Sequence, residues 1–319
     1  MVRAMGFAWL LAVALGVAGQ VVRDRSVAWA LLMYLPLVPL GLAAAGFDAI
    51  FRGRALPGPR FLLGGFGLVA ALGSAWPMVG HGPRGDGGLG PEVSFLHWNV
   101  VWGGGRRRDP ARWAAIRREI ARQGADLVVL SEAPPDDWLD GLVADLGPGA
   151  SRVQVENAPG AADWFKLAVC SAGPLRLARR EPIPGGTGMV VEAGVQGRSV
   201  RLLVVDAPSD PRRLRTPMLR GVAAACRRAR EAGEPFDLLV GDFNSVARSV
   251  GFDAVANEGY ALASRSSRGW RGTFPSGLPL YDIDHIWARR DLPGLRADLF
   301  TELTSDHRGQ VARFRLPGD

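Results

Sequence analysis

Three long apolar stretches open the chain, at residues 5–22, 27–47 and 61–79, and none contains a charged side chain. Each approaches the roughly 20 residues a helix needs to cross the hydrocarbon core of a bilayer. The charged groups fall in the breaks: Arg23, Asp24 and Arg25 in the first, and Asp48, Arg52, Arg54 and Arg60 in the second. Backbone in lipid must satisfy its N–H and C=O groups within the segment, so these stretches are expected to be helices. Residues 1–79 thus read as a membrane segment with two to three transmembrane helices. Arg3 ahead of the first stretch also fits a cleaved signal peptide, but the two further stretches favour a retained anchor. Pro36 and Pro39 predict a kink, or an incomplete crossing, in the second stretch. With three crossings, the positive-inside rule places the N-terminus in the cytoplasm and the rest of the chain outside, by a margin of one arginine. Two crossings would reverse that. The expected location is the cell membrane, multi-pass, with an extracytoplasmic domain.

Residues 80–91 (GHGPRGDGGLGP) have no apolar period and read as a Gly/Pro-rich linker. Beyond it, from residue 92 to 319, the composition changes and the charges crowd in. The formal net charge of +7 favours polyanionic partners such as nucleic acid or phospholipid head groups. Lys166 is the only lysine, however, and an arginine-rich codon usage would produce the same excess. Charge therefore does not choose a substrate. Two cysteines, Cys170 and Cys226, are too few for a disulfide framework or a thiolate metal site and read as small core residues.

Apolar runs at 93–100, 126–130, 165–171, 188–193, 199–205, 237–240, 281–288 and 310–316 predict strands, most of them covered on both faces. Residues 109–123, 136–145, 212–232 and 249–257 have helical spacing; Trp113, Ile116 and Ile120 recur at three and four. Gly124 and Gly233 fit helix C-terminal stops. Alternation of strands and helices over this length predicts an α/β domain with a layered sheet core.

The polar residues that end these strands are of one chemical type. Asn99 ends one, Glu132 follows Leu130-Ser131, Asp206 follows Val205, Asp242 and Asn244 lie in Gly241-Asp242-Phe243-Asn244, Asp284 lies in Ile283-Asp284-His285, and Asp306 and His307 close the series. Any one of them would serve as an ordinary turn residue. Together they offer hard oxygen ligands suited to Mg²⁺ or Mn²⁺ and an imidazole for a phosphate oxygen. No Cys/His cluster for structural zinc is present. His97 and His285 read as satisfied core histidines.

The ordered set Trp98-Asn99, Ser131-Glu132, Gly241-Asp242-Phe243-Asn244, Thr273-Phe274-Pro275, Ile283-Asp284-His285-Ile286 and Ser305-Asp306-His307 resembles the endonuclease/exonuclease/phosphatase superfamily, deoxyribonuclease-like, in its membrane-anchored bacterial branch. The resemblance runs from Ser94 to Arg313. It implies a four-layer α/β sandwich and a Mg²⁺-dependent phosphodiesterase or nuclease. It further implies that Glu132 is the principal metal ligand, helped by Asn99 and Asp306. Asp242 would orient or deprotonate the attacking water, Asn244 would hold a phosphate oxygen, and His307 would contact the scissile phosphate with Asp284 fixing its orientation.

One departure matters. The family usually places a histidine where this chain has Asp206. A second metal ligand, an altered substrate or a weakened enzyme would each account for it. Ser131 is a smaller departure, at a place where Gln often precedes the Glu. Two classes of function thus stand side by side: a metal-dependent hydrolase of nucleic acid or phospholipid, and a non-catalytic polyanion- or lipid-binding module on the same fold. Arg106, Arg107, Arg108, Arg212, Arg213 and Arg215 fit extra phosphate contacts or a solvated basic face equally well. Nothing calls for an obligate protein partner.

Overall fold

The computed structural model describes residues 1–82, 91–105, 109–156 and 165–316. Most of the expected linker (83–90) and the arginines Arg106, Arg107 and Arg108 lie outside the described residues. The chain divides into two compact units. One comprises Met1–Val79 with the short pieces Asp210–Thr216 and Arg248–Val250, and the other comprises the remainder.

The first unit holds helices α1 (Val2–Val22), α2 (Val27–Met33), α3 (Leu37–Ile50) and α4 (Leu62–Ala75). Of these, α1 alone is long and apolar enough to cross a membrane as one helix. The second expected crossing is broken between Met33 and Leu37, where α2 and α3 bend by 60°. Pro36 precedes α3 and has no N–H to continue a helical ladder. The third is a shorter apolar helix, Leu62–Met78. One helix is therefore long and apolar enough to cross, or two if the bent pair is a single span, where two to three crossings were expected, the second of them kinked or incomplete. Glycines set the packing of α3 on α4: a Cβ added at Gly41 would stand 2.2 Å from the Gly67 carbonyl oxygen. Backbones this close are typical of helices that associate through small residues. Buried Asp48 accepts from the Gly64 amide at 2.8 Å and the Ala55 amide at 3.3 Å, which satisfies an orphan donor in the first turn of α4.

The second unit contains, in order, β1 (Val79–His81), β2 (Glu92–Asn99), α5 (Val101–Gly104), α6 (Pro110–Gln123), β3 (Leu127–Ser131), α7 (Asp136–Asp145), β4 (Ser151–Glu156), β5 (Lys166–Ser171), β6 (Leu175–Ile183), β7 (Gly186–Val195), β8 (Arg198–Asp206), α8 (Thr216–Glu231), β9 (Leu238–Asp242), α9 (Val250–Asn257), β10 (Tyr260–Leu262), β11 (Arg268–Trp270), β12 (Asp284–Arg289), β13 (Arg296–Phe300) and β14 (Gly309–Arg315). They build two six-stranded sheets, ordered β13-β14-β2-β3-β5-β4 and β10-β12-β9-β8-β7-β6, and β1 pairs with β11. Within the large sheets the pairs β2–β3 and β8–β9 are parallel and the others antiparallel.

Alternation along the strands explains the layers. Phe95, Val129 and Val169 share a core with Val191, Leu202, Val204, Val240 and Ile286, so the inner faces of the two sheets meet. The alternate residues Leu96, Val128 and Leu130 receive Trp113, Ile116 and Ile120 of α6 with Leu139 and Leu142 of α7. On the other sheet, Leu203, Val205 and Leu239 receive Leu219 and Val222 of α8 and Phe252 of α9. The order is helix, sheet, sheet, helix. Apolar side chains on both faces are why these strands read as unbroken runs. Asp109 caps α6 by accepting from the Ala111 amide at 2.9 Å, and Gly124 ends that helix in the left-handed region.

Some elements differ from expectation. Strands β1, β4, β6, β10, β11 and β13 are additions. β6 (LRLARREPI) and β13 lie at or beside sheet edges and carry charged residues facing solvent, so no apolar run marks them. The strand expected from residue 281 begins at Asp284, because Tyr281 instead bridges to Phe274.

Candidate active site

The ends of β2, β3, β8 and β9 and the start of β12 converge on one rim. In the first sheet, parallel pairing sets Asn99 beside Ser131, with Glu132 next along the chain. In the second, Asp206 stands beside Asp242, and Asp242 faces Asp284 across the antiparallel neighbour. Asn99 joins the two sheets. Its amide donates to Asp242 Oδ2 at 3.0 Å and to Glu132 Oε1 at 3.3 Å, while its Oδ1 accepts from the Val101 amide at 3.0 Å.

The backbone at this rim is unusual. Val101, Trp102, Glu132 and Asn244 all have positive φ, between 44° and 59°. Left-handed backbone is unfavourable for side-chain-bearing residues, most of all for a β-branched one, and such positions gather at functional sites. Here it is held by hydrogen bonds: the Trp102 amide donates to the Glu132 carbonyl at 2.6 Å, and the Asn244 amide to Asp242 Oδ1 at 2.8 Å. Asn244 also donates from its side chain to the Ala207 carbonyl at 2.8 Å.

Asp284 and His307 form the charged centre. His307 Nδ1 lies 2.8 Å from Asp284 Oδ2, and one ligand atom from each of Asp242, Asp284 and His307 falls within 4.8 Å of the others. Burial alone would push the imidazole down, but the Asp284 charge and hydrogen bond hold it up at about 10. Burial would likewise raise the Asp284 carboxyl, yet the His307 cation holds it below its ordinary value. The pair is an imidazolium–carboxylate ion pair at neutral pH.

The remaining carboxyls are poorly compensated. Asp242 is pushed up to about 7, first by burial and then by the Asp284 charge. Asp206 is raised well above the carboxylate range by burial and by Asp242, Glu132 and Asp284. Glu132 is raised by burial, with Asn99 and His307 opposing. Such a surplus of buried negative charge is the chemistry of a cation site. Oxygen donors in this number fit Mg²⁺ or Mn²⁺.

Several side chains of the quoted motifs, given no role of their own from the sequence, position this centre. Thr273 Oγ1 accepts from the Ile283 and Asp284 amides at 3.1 and 3.2 Å and so sets the start of β12. Ser305 donates to the Asn99 carbonyl at 2.7 Å and accepts from the His307 amide at 3.0 Å, joining β2 to the His307 loop. Trp98 Nε1 donates to the His307 carbonyl at 2.9 Å, and the Phe274 ring packs 4.9 Å from the imidazole. His97 and His285 are buried and held below their ordinary pKa by burial, His97 at about 4, as expected of core histidines. Both cysteines are buried, with thiols pushed up to about 12 by burial.

The Endonuclease/Exonuclease/phosphatase family model matches residues 96–307, well over half of the chain. The chain belongs to this family. Among solved structures of the fold, an endonuclease/exonuclease/phosphatase family protein from Bacteroides thetaiotaomicron superposes with TM-score 0.56 at 14% identity, covering 71% of this chain and 98% of its own. The human Nocturnin catalytic domain, solved with bound sulfate, gives 0.53 at 18% identity, with 71% and 95% covered. Truncated Caenorhabditis elegans TDP2 gives 0.52 at 18% identity, with 70% and 98% covered. None of the curated proteins matches the sequence.

Set against the family pattern, Asn99, Glu132, Asp206, Asp242, Asn244, Asp284 and His307 come together on one rim. Asp306 stands apart in environment. Its side chain is 57% exposed, with Oδ1 3.9 Å from His307 Nε2.

Proposed function

We propose that the chain is a divalent-metal-dependent phosphoester hydrolase, a phosphodiesterase or nuclease by type, that directs water onto phosphorus. The observation that carries this reading is the buried Asp284–His307 ion pair with an Asp242 oxygen within 4.8 Å. In this reading His307, cationic at neutral pH, donates from Nε2 to a nonbridging phosphate oxygen, and Asp284 keeps the ring in one orientation. Asp242 holds the attacking water and receives its proton; a carboxyl pushed up to about 7 is a base matched to neutral pH. Asn244, whose side-chain amide donates to the Ala207 carbonyl, would hold a phosphate oxygen.

Glu132, Asn99 and Asp306 would hold Mg²⁺ or Mn²⁺, and the surplus negative charge around Glu132 and Asp206 supports such a cation. When bound, it would neutralise charge on the phosphate oxygens. Asp206 would be a second ligand to that charge centre, or the determinant of an altered substrate.

One observation favours a second reading. Buried Asp206 sits directly beside Asp242 and, unless protonated or metal-bound, would repel a phosphate. A non-catalytic polyanion- or lipid-binding module would tolerate that. Asp206→His separates the two, because a dormant enzyme lacking only this group would gain turnover.

We also read residues 1–79 as a membrane segment and residues 92–319 as the catalytic domain, with attachment through α1 and the domain outside the cytoplasm. Resistance of the full chain to alkaline carbonate extraction tests attachment, and protease accessibility in intact cells tests the side.

The function itself is tested with the full chain in detergent, Mg²⁺ or Mn²⁺ and bis-p-nitrophenyl phosphate. Turnover should vanish with EDTA and fall roughly 10²-fold or more in Asp242→Asn and His307→Gln. Activity indifferent to EDTA, or an Asp242→Asn protein of full activity, would sink the proposal.

A further inference from the structure

The inner faces of the two sheets are apolar where they meet, and the filling changes close to the rim. On β2 the residues facing the other sheet include Val93 and Phe95, and on β14 they include Ala312 and Phe314. The next positions towards the rim on that face are His97 and Gln310, register partners that are both fully buried.

Gln310 Nε2 donates to the Asp284 carbonyl, a hydrogen bond that runs from β14 in one sheet to the first residue of β12 in the other. A carbonyl oxygen only accepts, so the amide presents its nitrogen there. Its oxygen is left buried with no hydrogen-bond partner, as is His97 Nδ1 across the register. Burying an unpaired acceptor costs free energy that an apolar side chain, such as those of Ala312 and Phe314 on the same strand, does not incur. Stability alone would favour an apolar residue at this position.

Geometry shows what the glutamine does instead. Gln310 lies three residues after His307, so one piece of chain holds Asp284 twice. Its carboxylate meets His307 Nδ1 at 2.8 Å, and its carbonyl accepts from Gln310. That piece is itself fixed. Trp98 Nε1 donates to the His307 carbonyl at 2.9 Å, and the Arg308 amide donates to the Thr273 carbonyl at 2.8 Å. Phe300 covers Gly309 so closely that an added Cβ would stand 2.0 Å from its ring. On its other side, the Asp284 amide donates to Thr273 Oγ1 at 3.2 Å. With both its N–H and its C=O held, Asp284 starts its side chain from a fixed point facing His307.

Resting on the hydrolase reading above, we propose that Gln310 is a positioning residue for the reaction. Being fully buried, it acts through Asp284, holding that residue where its carboxylate orients the His307 ring. Misplacing a reacting group by about 1 Å costs on the order of 10²-fold in rate, so loss of one of the three anchors on Asp284 should cost about tenfold.

The test uses the full chain in detergent with Mg²⁺ and bis-p-nitrophenyl phosphate. Gln310→Met matches the length of glutamine and lacks the donor. Its kcat should fall about tenfold with KM within about twofold of the parent, while its melting temperature stays level or rises. In a His307→Gln background the same substitution should cost far less, because both act through one ion pair. A second readout needs no turnover. Proton NMR of the parent should show the His307 Nδ1 proton far downfield, assigned by its loss in His307→Gln. In Gln310→Met that signal should move upfield or exchange faster with water. Full kcat in Gln310→Met, an Nδ1 signal that does not move, or a kcat loss that persists undiminished in the His307→Gln background would overturn the proposal. A parent protein without turnover would instead remove the hydrolase reading, and the Nδ1 signal alone would then decide whether Gln310 holds the pair.

Discussion

His307 Nδ1 stands 2.8 Å from Asp284 Oδ2, and both side chains are buried. This contact raises the imidazole to about 10, so its contribution to stability is fully present below the ordinary histidine pKa and is lost as pH rises through about 10. The melting temperature of the protein minus that of His307→Gln should therefore be largest near pH 6 and shrink between pH 9 and pH 11, as read by scanning calorimetry. A difference that stays constant with pH would contradict the ion pair.

Asp242 behaves in the opposite sense for function and stability. Its carboxyl is raised to about 7, so the folded state holds that proton more tightly than the unfolded chain, and stability declines as pH rises from about 4 through 7. Asp242→Asn removes this decline. In EDTA at pH 8 it should melt a few degrees higher than the parent protein while its turnover is lost.

Cation binding should be visible without any substrate. If Glu132 and its neighbours hold Mg²⁺, the melting temperature will rise with Mg²⁺ concentration, by the equivalent of about 2.7 kcal/mol at a hundredfold excess over Kd. Glu132→Gln should flatten that dependence. Titration calorimetry on both proteins gives a second reading.

Gly241 links the sheet to the site. Its φ is 152°, and an added Cβ would stand 1.8 Å from the Val205 carbonyl oxygen, within the β8–β9 pairing that aligns Asp206 with Asp242. Gly241→Ala should lower stability by about 2–3 kcal/mol in urea unfolding. Because the strain falls one residue before Asp242, turnover should drop even where the protein remains folded.

The strand ends were legible because chemistry and pattern coincided there. Asn99, Glu132 and Asp242 each follow an apolar run buried on both faces, so the change to a polar side chain marks both the end of the strand and the rim. Asp284 was placed within a strand, and the structure puts it at the start of one, because Tyr281 is drawn aside by Phe274. β6 was not legible, since its arginines and glutamate mask any period. Thr273 and Ser305 stood in the quoted motifs, but their positioning roles were not legible. A hydroxyl becomes a positioning group only through partners that lie far along the chain, as Ser305 and Asn99 do, 206 residues apart. The proline break between α2 and α3 was visible; its 60° bend was not, because the angle depends on what the two pieces pack against.

The two parallel strand pairs have a consequence for the order of folding. Asn99 belongs to one sheet and Asp242 to the other, and their hydrogen bond spans 143 residues of sequence. Neither sheet contains the centre, and each parallel pair forms only after a long chain segment has closed on itself, which is intrinsically slow. The rim is therefore incomplete until the two sheets have docked. On the proposed function, turnover should then return in refolding only once both sheets are joined, and it would report on the whole domain rather than on any part.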